Sequence, residues 1–246
     1  NGSLLVEPLI SHEYDILDGK KAMALLTSPE PALGILLKYN EEIIDKVVGQ
    51  KVSLKPKLRS LQNKSNVNIG LIGAGNYASR VLAPALKLTE ANLHSVVSLG
   101  GLSALNVGKR FGFDHASTYV CSVIKDKSIN ALVIATRHDT HSNLVIDALK
   151  NGKHVFCEKP LSLSLEDLER IERVAKERPD LALMVGFNRR FAPQSIKIKN
   201  LISEYDVPKN FVVTVNAGAI PTSHWTQDRK LGGGRIIGET CHFIDL

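Results

Sequence analysis

The sequence predicts an α/β fold, a doubly wound parallel sheet followed by an incomplete second α/β domain with an open sheet. Three observations predict it. The first is Val67-Asn68-Ile69-Gly70-Leu71-Ile72-Gly73-Ala74-Gly75-Asn76-Tyr77-Ala78, an apolar strand that passes through two glycines straight into a helical pattern. The second is a pair of short apolar runs, Ala131-Leu132-Val133-Ile134-Ala135 and Val155-Phe156-Cys157, of the kind buried on both faces of a parallel sheet. The third is the helical pattern that separates each run from the next, which gives a strand–helix alternation.

Composition sets the bounds. The 246 residues are 43% hydrophobic and 23% charged, as in an ordinary soluble globular protein, and suffice for one large or two small domains. No apolar run has the length of a membrane span and no signal peptide is visible. Three cysteines, Cys121, Cys157 and Cys241, make no disulfide framework and lack metal-ligand spacing, so a cytoplasmic setting is expected. The net charge of +6 suits an anionic cofactor or substrate, and equally a solvated lysine-rich surface. A first residue of Asn suggests a fragment or a processed chain.

Residues 1–48 form a separate segment: a strand over 4–10, a helix over 16–26 and a strand over 33–37. Val6-Glu7-Pro8-Leu9-Ile10-Ser11-His12, a helix containing Ala22, and Ala32-Leu33-Gly34-Ile35-Leu36-Leu37-Lys38-Tyr39 resemble the C-terminal tail of a zinc-type medium-chain alcohol dehydrogenase. That family's zinc ligands and nucleotide motif lie earlier in its chain, so no chemistry is assigned here. An N-terminal extension packing on its own protein is the alternative. Residues 49–65 are polar and basic, with Lys51, Lys55, Lys57, Arg59 and Lys64, and read as a linker. No aromatics are interleaved, which argues against a nucleic-acid surface.

Residues 66–180 form the dinucleotide-binding domain. A strand feeding a helix through Gly73-x-Gly75-x-x-Ala78 leaves backbone N–H groups free at a helix N-terminus, where a pyrophosphate can sit. Gly73 permits the tight turn, Gly75 the close approach of phosphate, and Ala78 the packing of helix on strand. A tight strand–helix turn needs glycines with or without a nucleotide, so the motif alone is weak. A strand over 93–99 follows. At its end a Rossmann unit usually carries an acidic residue for the ribose hydroxyls, and here stands Ser98-Leu99-Gly100-Gly101. Either NAD or NADP is therefore expected. Lys109 and Arg110 reach a phosphate only if their helix points inward.

Thr136-Arg137-His138-Asp139-Thr140-His141 follows the 131–135 strand at the end where α/β sheets place ligands. His138, Asp139 and His141 lack further ligands for a metal, and none is assigned. A helix over 144–149 stops at Asn151-Gly152, and the strand over 153–157 runs into Glu158-Lys159-Pro160. Ser164 caps the next helix, with Asp167 in capping-box position. A lysine between a carboxylate and a nicotinamide cation can relay a proton; a surface salt bridge beside a turn proline is the plainer reading. Residues 181–246 read as the start of a substrate and dimerisation domain: a strand over 182–187, a helix over 193–202, a strand over 211–216, then a glycine-rich loop and a helix.

Taken in order, Gly73-x-Gly75-x-x-Ala78, Ala135-Thr136 with His141, and Gly152-Lys153-His154-Val155-Phe156-Cys157-Glu158-Lys159-Pro160-Leu161 resemble the Gfo/Idh/MocA oxidoreductase family. Val185-Gly186-Phe187-Asn188-Arg189-Arg190-Phe191 and Gly232-Gly233-Gly234-Arg235 with His242 and Asp245 extend the likeness across residues 66–246. With the N-terminal tail, the arrangement resembles a fusion of two dehydrogenase modules. The resemblance implies hydride transfer between a nicotinamide cofactor, NAD or NADP, and a sugar or nucleotide-sugar, as in polysaccharide biosynthesis. It further implies a homo-oligomer formed through the second-domain sheet. Lys159 would sit beside the reacting hydroxyl and His242 would act as acid and base. Thr136, His138 and His141 would line the nicotinamide side, Glu158 would hold a ribose hydroxyl, Arg190 or Arg189 would contact an anionic group, and Arg137 and Pro160 belong to the expected cofactor-binding set. Asn76, Tyr77 and Ser98 complete the expected cofactor set. Two departures stand out. The family often has Pro-Asn where this chain has Arg137-His138, and an aspartate where it has Gly238, with Glu239 adjacent as a substitute carboxylate. A non-catalytic nucleotide-binding or sensing module is the alternative function. His224-Trp225 reads either as a sugar-stacking wall or as a core anchor.

Overall fold

A computed structural model describes residues 6–39, 51–54 and 67–246. It divides into two compact units, 1–50 and 51–246. In the first, strand β1 (Ile10–Asp15) pairs in parallel with β2 (Gly34–Lys38) through the crossover helix α1 (Gly19–Leu25). The Ser11 hydroxyl donates to the Gly34 carbonyl at 3.1 Å and accepts from the Leu33 N–H at 3.0 Å. Among its described apolar side chains only Ala22 and Leu25 are buried, as a lone strand–helix–strand unit dictates. Residues 4 and 5 of the strand expected over 4–10 lie outside the described residues; over the rest, Pro8 removes a donor and leaves a single 3-10 turn, Glu7–Leu9, before β1.

The second unit is built on a seven-stranded sheet of order β3-β6-β5-β4-β7-β8-β9. Its strands are β3 (Val52–Ser53), β4 (Asn68–Ile72), β5 (Asn92–Val97), β6 (His115–Ser117), β7 (Ala131–Ile134), β8 (His154–Cys157) and β9 (Leu183–Val185). All neighbours are parallel except β3 on β6. Strand order reverses between β4 and β7, so a crevice opens at their carboxyl ends. The helices are α2 (Ala83–Lys87), α3 (Leu102–Phe111), α4 (Cys121–Ile124), α5 (His141–Lys150) and α6 (Leu165–Glu177). The Ser164 hydroxyl accepts from the Asp167 N–H at 3.1 Å, as its capping pattern predicts.

Two buried clusters sandwich the sheet. Leu71, Val96, Ala104, Val107, Phe111 and Val133 pack with α3 on one face. Ile72, Val97, Ile134, Val145, Leu149 and Ile171 pack with α5 and α6 on the other. Leu71 and Ile72 point to opposite faces because strand side chains alternate. The helix after the glycine turn widens into a π turn, Ala78–Leu82, before α2. Pro84 explains it: proline offers no N–H to the Arg80 carbonyl and its ring crowds that oxygen.

Three expectations change. Residues 51–54, expected in the linker, supply edge strand β3, and the Leu54 N–H donates to the Asp114 carbonyl at 2.8 Å. The rest of that linker lies outside the described residues. The strand expected to open the second domain is instead β9, paired with β8 in the same seven-stranded sheet. No strand forms at 211–216, where Phe211, Val212, Val213 and Val215 are exposed: an apolar alternating segment makes no ladder without a neighbour to pair with. Helix α7 (Pro193–Ser203) and a short helix α8 (Cys241–Ile244) follow β9.

Candidate functional site

The carboxyl ends of β4, β7, β8 and β9 bring Gly73, Thr136, Glu158-Lys159 and Gly186 to one edge of the sheet. Gly73 has φ +103°, and its N–H donates to the Val97 carbonyl at 2.8 Å. A Cβ there would stand 2.3 Å from the Ala135 oxygen, so no other residue fits. A Cβ on Gly75 would meet nothing within 4 Å, which leaves the outer wall of the turn open. Asn76 beside it is exposed, and Ala78 is buried against the sheet. The Tyr77 hydroxyl accepts from Asn188 Nδ2 at 2.9 Å and so reaches the segment after β9. Burial, with the Glu158 charge, raises its pKa.

Glu158 is buried and its Oε1 has no hydrogen-bond partner among the described residues. Burial pushes its carboxyl up to about 7, against the pull of Lys159. Gly186 makes room for it: a Cβ there would lie 2.7 Å from Oε1. Lys159, half-buried, donates from Nζ to the Gly238 carbonyl at 2.6 Å. Gly238 lies in a π turn, Ile236–Thr240, that leads into α8 and His242. His242 is buried, meets the Phe187 ring edge-on at 6.2 Å, and has an unpartnered Nδ1. Burial first, then the Lys159 and Arg189 charges, holds its pKa down to about 4, with Asp245 opposing.

The two strand-end histidines differ. His138 Nδ1 lies 2.8 Å from the Gly232 carbonyl, which can only accept, so that nitrogen carries the proton. Its ring meets Trp225 edge-on at 4.8 Å. His141 is wholly buried, with Nδ1 on the Pro160 carbonyl at 2.8 Å and Nε2 on the Thr136 carbonyl at 3.2 Å. Expected on the nicotinamide side, it instead stitches two strand ends together from within. Thr136 shares a 2.6 Å hydroxyl contact with Thr140, and Arg137 is exposed. Pro160 is buried and follows a cis peptide bond.

Two expected ligand-binding side chains are committed elsewhere. Arg190 pairs through two nitrogens with Asp245, so its charge is spent within the chain. Glu239 pairs with Arg235 at 3.3 Å one helical turn back, while Gly238 turns its carbonyl to Lys159. One residue along a helix rotates a side chain by about 100°, which carries Glu239 off that face. Ser98 stays at the end of β5, half-buried, and accepts from the Ser103 hydroxyl at 2.8 Å. Lys109 and Arg110 lie in the last turn of α3, about 10 Å along its axis from the end that faces Ser98. Sequence reasoning missed the Tyr77–Asn188 bond and the role of the Gly238 carbonyl, since neither a tyrosine hydroxyl nor a main-chain oxygen leaves a spacing signal.

These features fit a dinucleotide. A Cβ on Gly75 would meet nothing within 4 Å, where phosphates would approach, Ser98 and Ser103 offer hydroxyls, and the buried Glu158 Oε1 and His242 Nδ1 are unpartnered among the described residues. Known proteins agree in kind. Residues 67–187 match a family model described as an oxidoreductase family with an NAD-binding Rossmann fold. Myo-inositol 2-dehydrogenase of Thermotoga maritima is 30% identical over 181 residues, 73% of this chain and 53% of its own. Inositol 2-dehydrogenase of Rhizobium meliloti is 31% identical over 183 residues, again 73% and 53%. A solved levoglucosan dehydrogenase in complex with NADH superposes with a TM-score of 0.64 at 27% identity, covering 74% of this chain and 53% of that one. The chain thus spans about half the length of the relatives it matches.

Proposed function

Through residues 67–187 the chain belongs to the Gfo/Idh/MocA family of oxidoreductases, and from that premise we propose that it forms the cofactor half and catalytic pair of an NAD(P)-dependent sugar dehydrogenase. The observation that carries the reading is the 2.6 Å bond from Lys159 to the Gly238 carbonyl, beside a buried His242 with a free Nδ1. Gly73, Gly75, Asn76, Tyr77 and Ala78 would hold the pyrophosphate turn, Ser98 the adenosine ribose, and Glu158 the nicotinamide ribose. When bound, the nicotinamide supplies a hydride acceptor or donor at its C4.

The chain's own residues handle the proton. His242 is neutral near pH 7, since its pKa lies at about 4, and its imidazole can take the proton of a substrate hydroxyl. An imidazolium so disfavoured returns its proton readily, which suits the donor's part in the reducing direction. Lys159 would hold the hydroxyl oxygen and steady negative charge as it develops there. His224 and Trp225 would offer a flat wall to the C–H face of a sugar. A nucleotide-linked sugar of polysaccharide synthesis is the proposed substrate class, on family-level analogy.

The exposed Phe211, Val212, Val213 and Val215 support an assembly of copies through the second domain, and the free cysteines Cys121, Cys157 and Cys241 support a reducing, cytoplasmic setting. The parallel β1–α1–β2 unit is what the tail of an alcohol-dehydrogenase-like module would form, and a fusion is proposed on that ground. Gly238 in an aspartate's place favours the second reading, a nucleotide-binding module without turnover. Titration of the full-length protein with NADH and NADPH, then turnover of Lys159→Ala, separates the two. Turnover that survives Lys159→Ala ends the catalytic assignment. Nucleotide binding without turnover in the parent supports the sensing module.

A further inference from the structure

We propose that His138 is a positioning residue for the Lys159–His242 pair, acting through the Gly232 carbonyl that it holds and the Gly238 backbone that it supports. The inference deepens the dehydrogenase reading above and concerns how that site keeps its shape.

Several contacts converge on this ring. Its Nδ1–H donates to the Gly232 carbonyl at 2.8 Å, across 94 residues of chain. A Cβ built on Gly238 would lie 3.0 Å from the same Gly232 oxygen and 3.4 Å from His138 Cε1. The bond, the oxygen and the glycine therefore form one close-packed seat. Gly238 is also the residue whose carbonyl holds Lys159 at 2.6 Å. His242 follows four residues later on the same helical run. A displacement of Gly232 is thus passed to both members of the pair.

The ring itself is braced. Trp225 meets it edge-on at 4.8 Å, and His141 stands 5.8 Å behind it, fixed by the Pro160 and Thr136 carbonyls. The loop has a second tether, since the Asp139 N–H donates to the Leu231 carbonyl at 3.3 Å. Gly232 has no room to slide: a Cβ there would lie 2.5 Å from Thr226 Cα and 2.7 Å from the Trp225 oxygen. His138 is 8% exposed, so its carbonyl bond is not shared with bulk solvent. A core histidine used only for bulk would not need a particular nitrogen on a particular oxygen. Here the nitrogen matters.

That atom-level claim can be tested. Asparagine places its Nδ2–H close to the position of a histidine Nδ1, whereas glutamine places its amide nearer Nε2. His138→Asn and His138→Gln are compared in the full chain without added nucleotide, following the His242 Cε1–H resonance by NMR through a pH titration, assigned with His242→Asn. Burial sets the His242 midpoint first, and the charged groups that face it are Lys159, Arg189 and Asp245. Expected is a midpoint within about 0.3 pH units of the parent for His138→Asn and an upward move of about one unit for His138→Gln, as water reaches a loosened His242. In turnover, His138→Gln loses about tenfold in kcat with KM for the nucleotide changed less than about threefold, and His138→Asn restores kcat. Equal midpoints in both variants, whether moved or unmoved, overturn the proposal. Gly238→Ala presses on the same seat from the other side and must also raise the midpoint; no movement there overturns it too. Midpoints as expected in a parent that shows no turnover would sink the dehydrogenase reading and leave this one standing.

Discussion

Lys159 Nζ donates a 2.6 Å hydrogen bond to the carbonyl of Gly238, 79 residues later, joining a strand end of the seven-stranded sheet to the turn that leads into His242. The bond ties the Lys159 side chain to a main-chain acceptor, and the lysine's field reaches His242. Lys159→Met removes that field and leaves the carbonyl unpaired. The expected outcome is a His242 midpoint above its present value of about 4, and a turnover lower by about 10²–10⁴, measured by the absorbance of reduced nicotinamide. Lys159→Arg keeps the charge and should hold the midpoint while still losing turnover, because a planar fork does not replace a compact ammonium. A midpoint that stays put in Lys159→Met would show that the coupling is absent.

In the proposed reading the adenosine ribose lies at the end of β5. Ser98 with Ser103 offers hydroxyls and no carboxylate, so nothing there repels a 2′-phosphate. Ser98→Asp installs the missing charge. NADP affinity should fall at least about tenfold while NAD affinity holds or improves, as read by nucleotide fluorescence titration. Equal losses for both nucleotides would mean that the ribose does not lie at Ser98.

Much of this was legible in the sequence. The strand–glycine–helix stretch from Val67 to Ala78 carries its own geometry, because positive φ at Gly73 and a small residue at position 78 are backbone demands that composition reveals. Ser164 and Asp167 announced their cap in the same way. Lys159 and His242 were legible as separate motifs, but their meeting depends on tertiary packing around a carbonyl, which no side-chain pattern encodes. Arg190 and Glu239 misled for a related reason. A charge in a motif looks available until its partner, Asp245 or Arg235, is seen. Strand β9 was placed in the wrong domain because periodicity gives a strand's existence and not its sheet.

Glu158 and His242 should give the folded protein opposing slopes with pH. Glu158 is raised from 4.5 to about 7, so the folded state holds its proton more tightly, and stability declines as pH rises from about 4.5 through 7. His242 is lowered from 6.5 to about 4, so the unfolded state binds the proton more tightly, and stability declines as pH falls from 6.5 through 4. Glu158→Gln should flatten the alkaline limb and raise Tm at pH 8 by a few degrees, corresponding to about 1–2 kcal/mol once partial solvent access is allowed for. His242→Asn should flatten the acid limb alone. Thermal melts from pH 4 to 8 check both, and parallel curves for all three proteins would contradict the assignment.

At the opposite end of the sheet, Asp126 fastens the arriving chain to the start of β7. Its carboxylate pairs with Lys51 Nζ at 2.9 Å and accepts from the Ser128 N–H at 3.0 Å and hydroxyl at 2.5 Å. His94 Nε2 lies 3.1 Å from that same hydroxyl, and the buried Lys153 caps the Asp126 and Ile129 carbonyls at 2.6 and 2.7 Å. These bonds hold the Asp126 carboxyl well below the usual carboxylate range despite its partial burial. A depressed folded value means stability that is present above the ordinary 3.8 and lost as pH falls below it. Asp126→Asn keeps the shape, removes the charge and should cost about 1–2 kcal/mol at pH 7, a Tm lower by about 2–8 °C. The gap between parent and variant should close on acidification below pH 3.8, because the parent's carboxylate is then protonated as well. A gap that stays constant down to the acid limit would assign the loss to packing and not to charge.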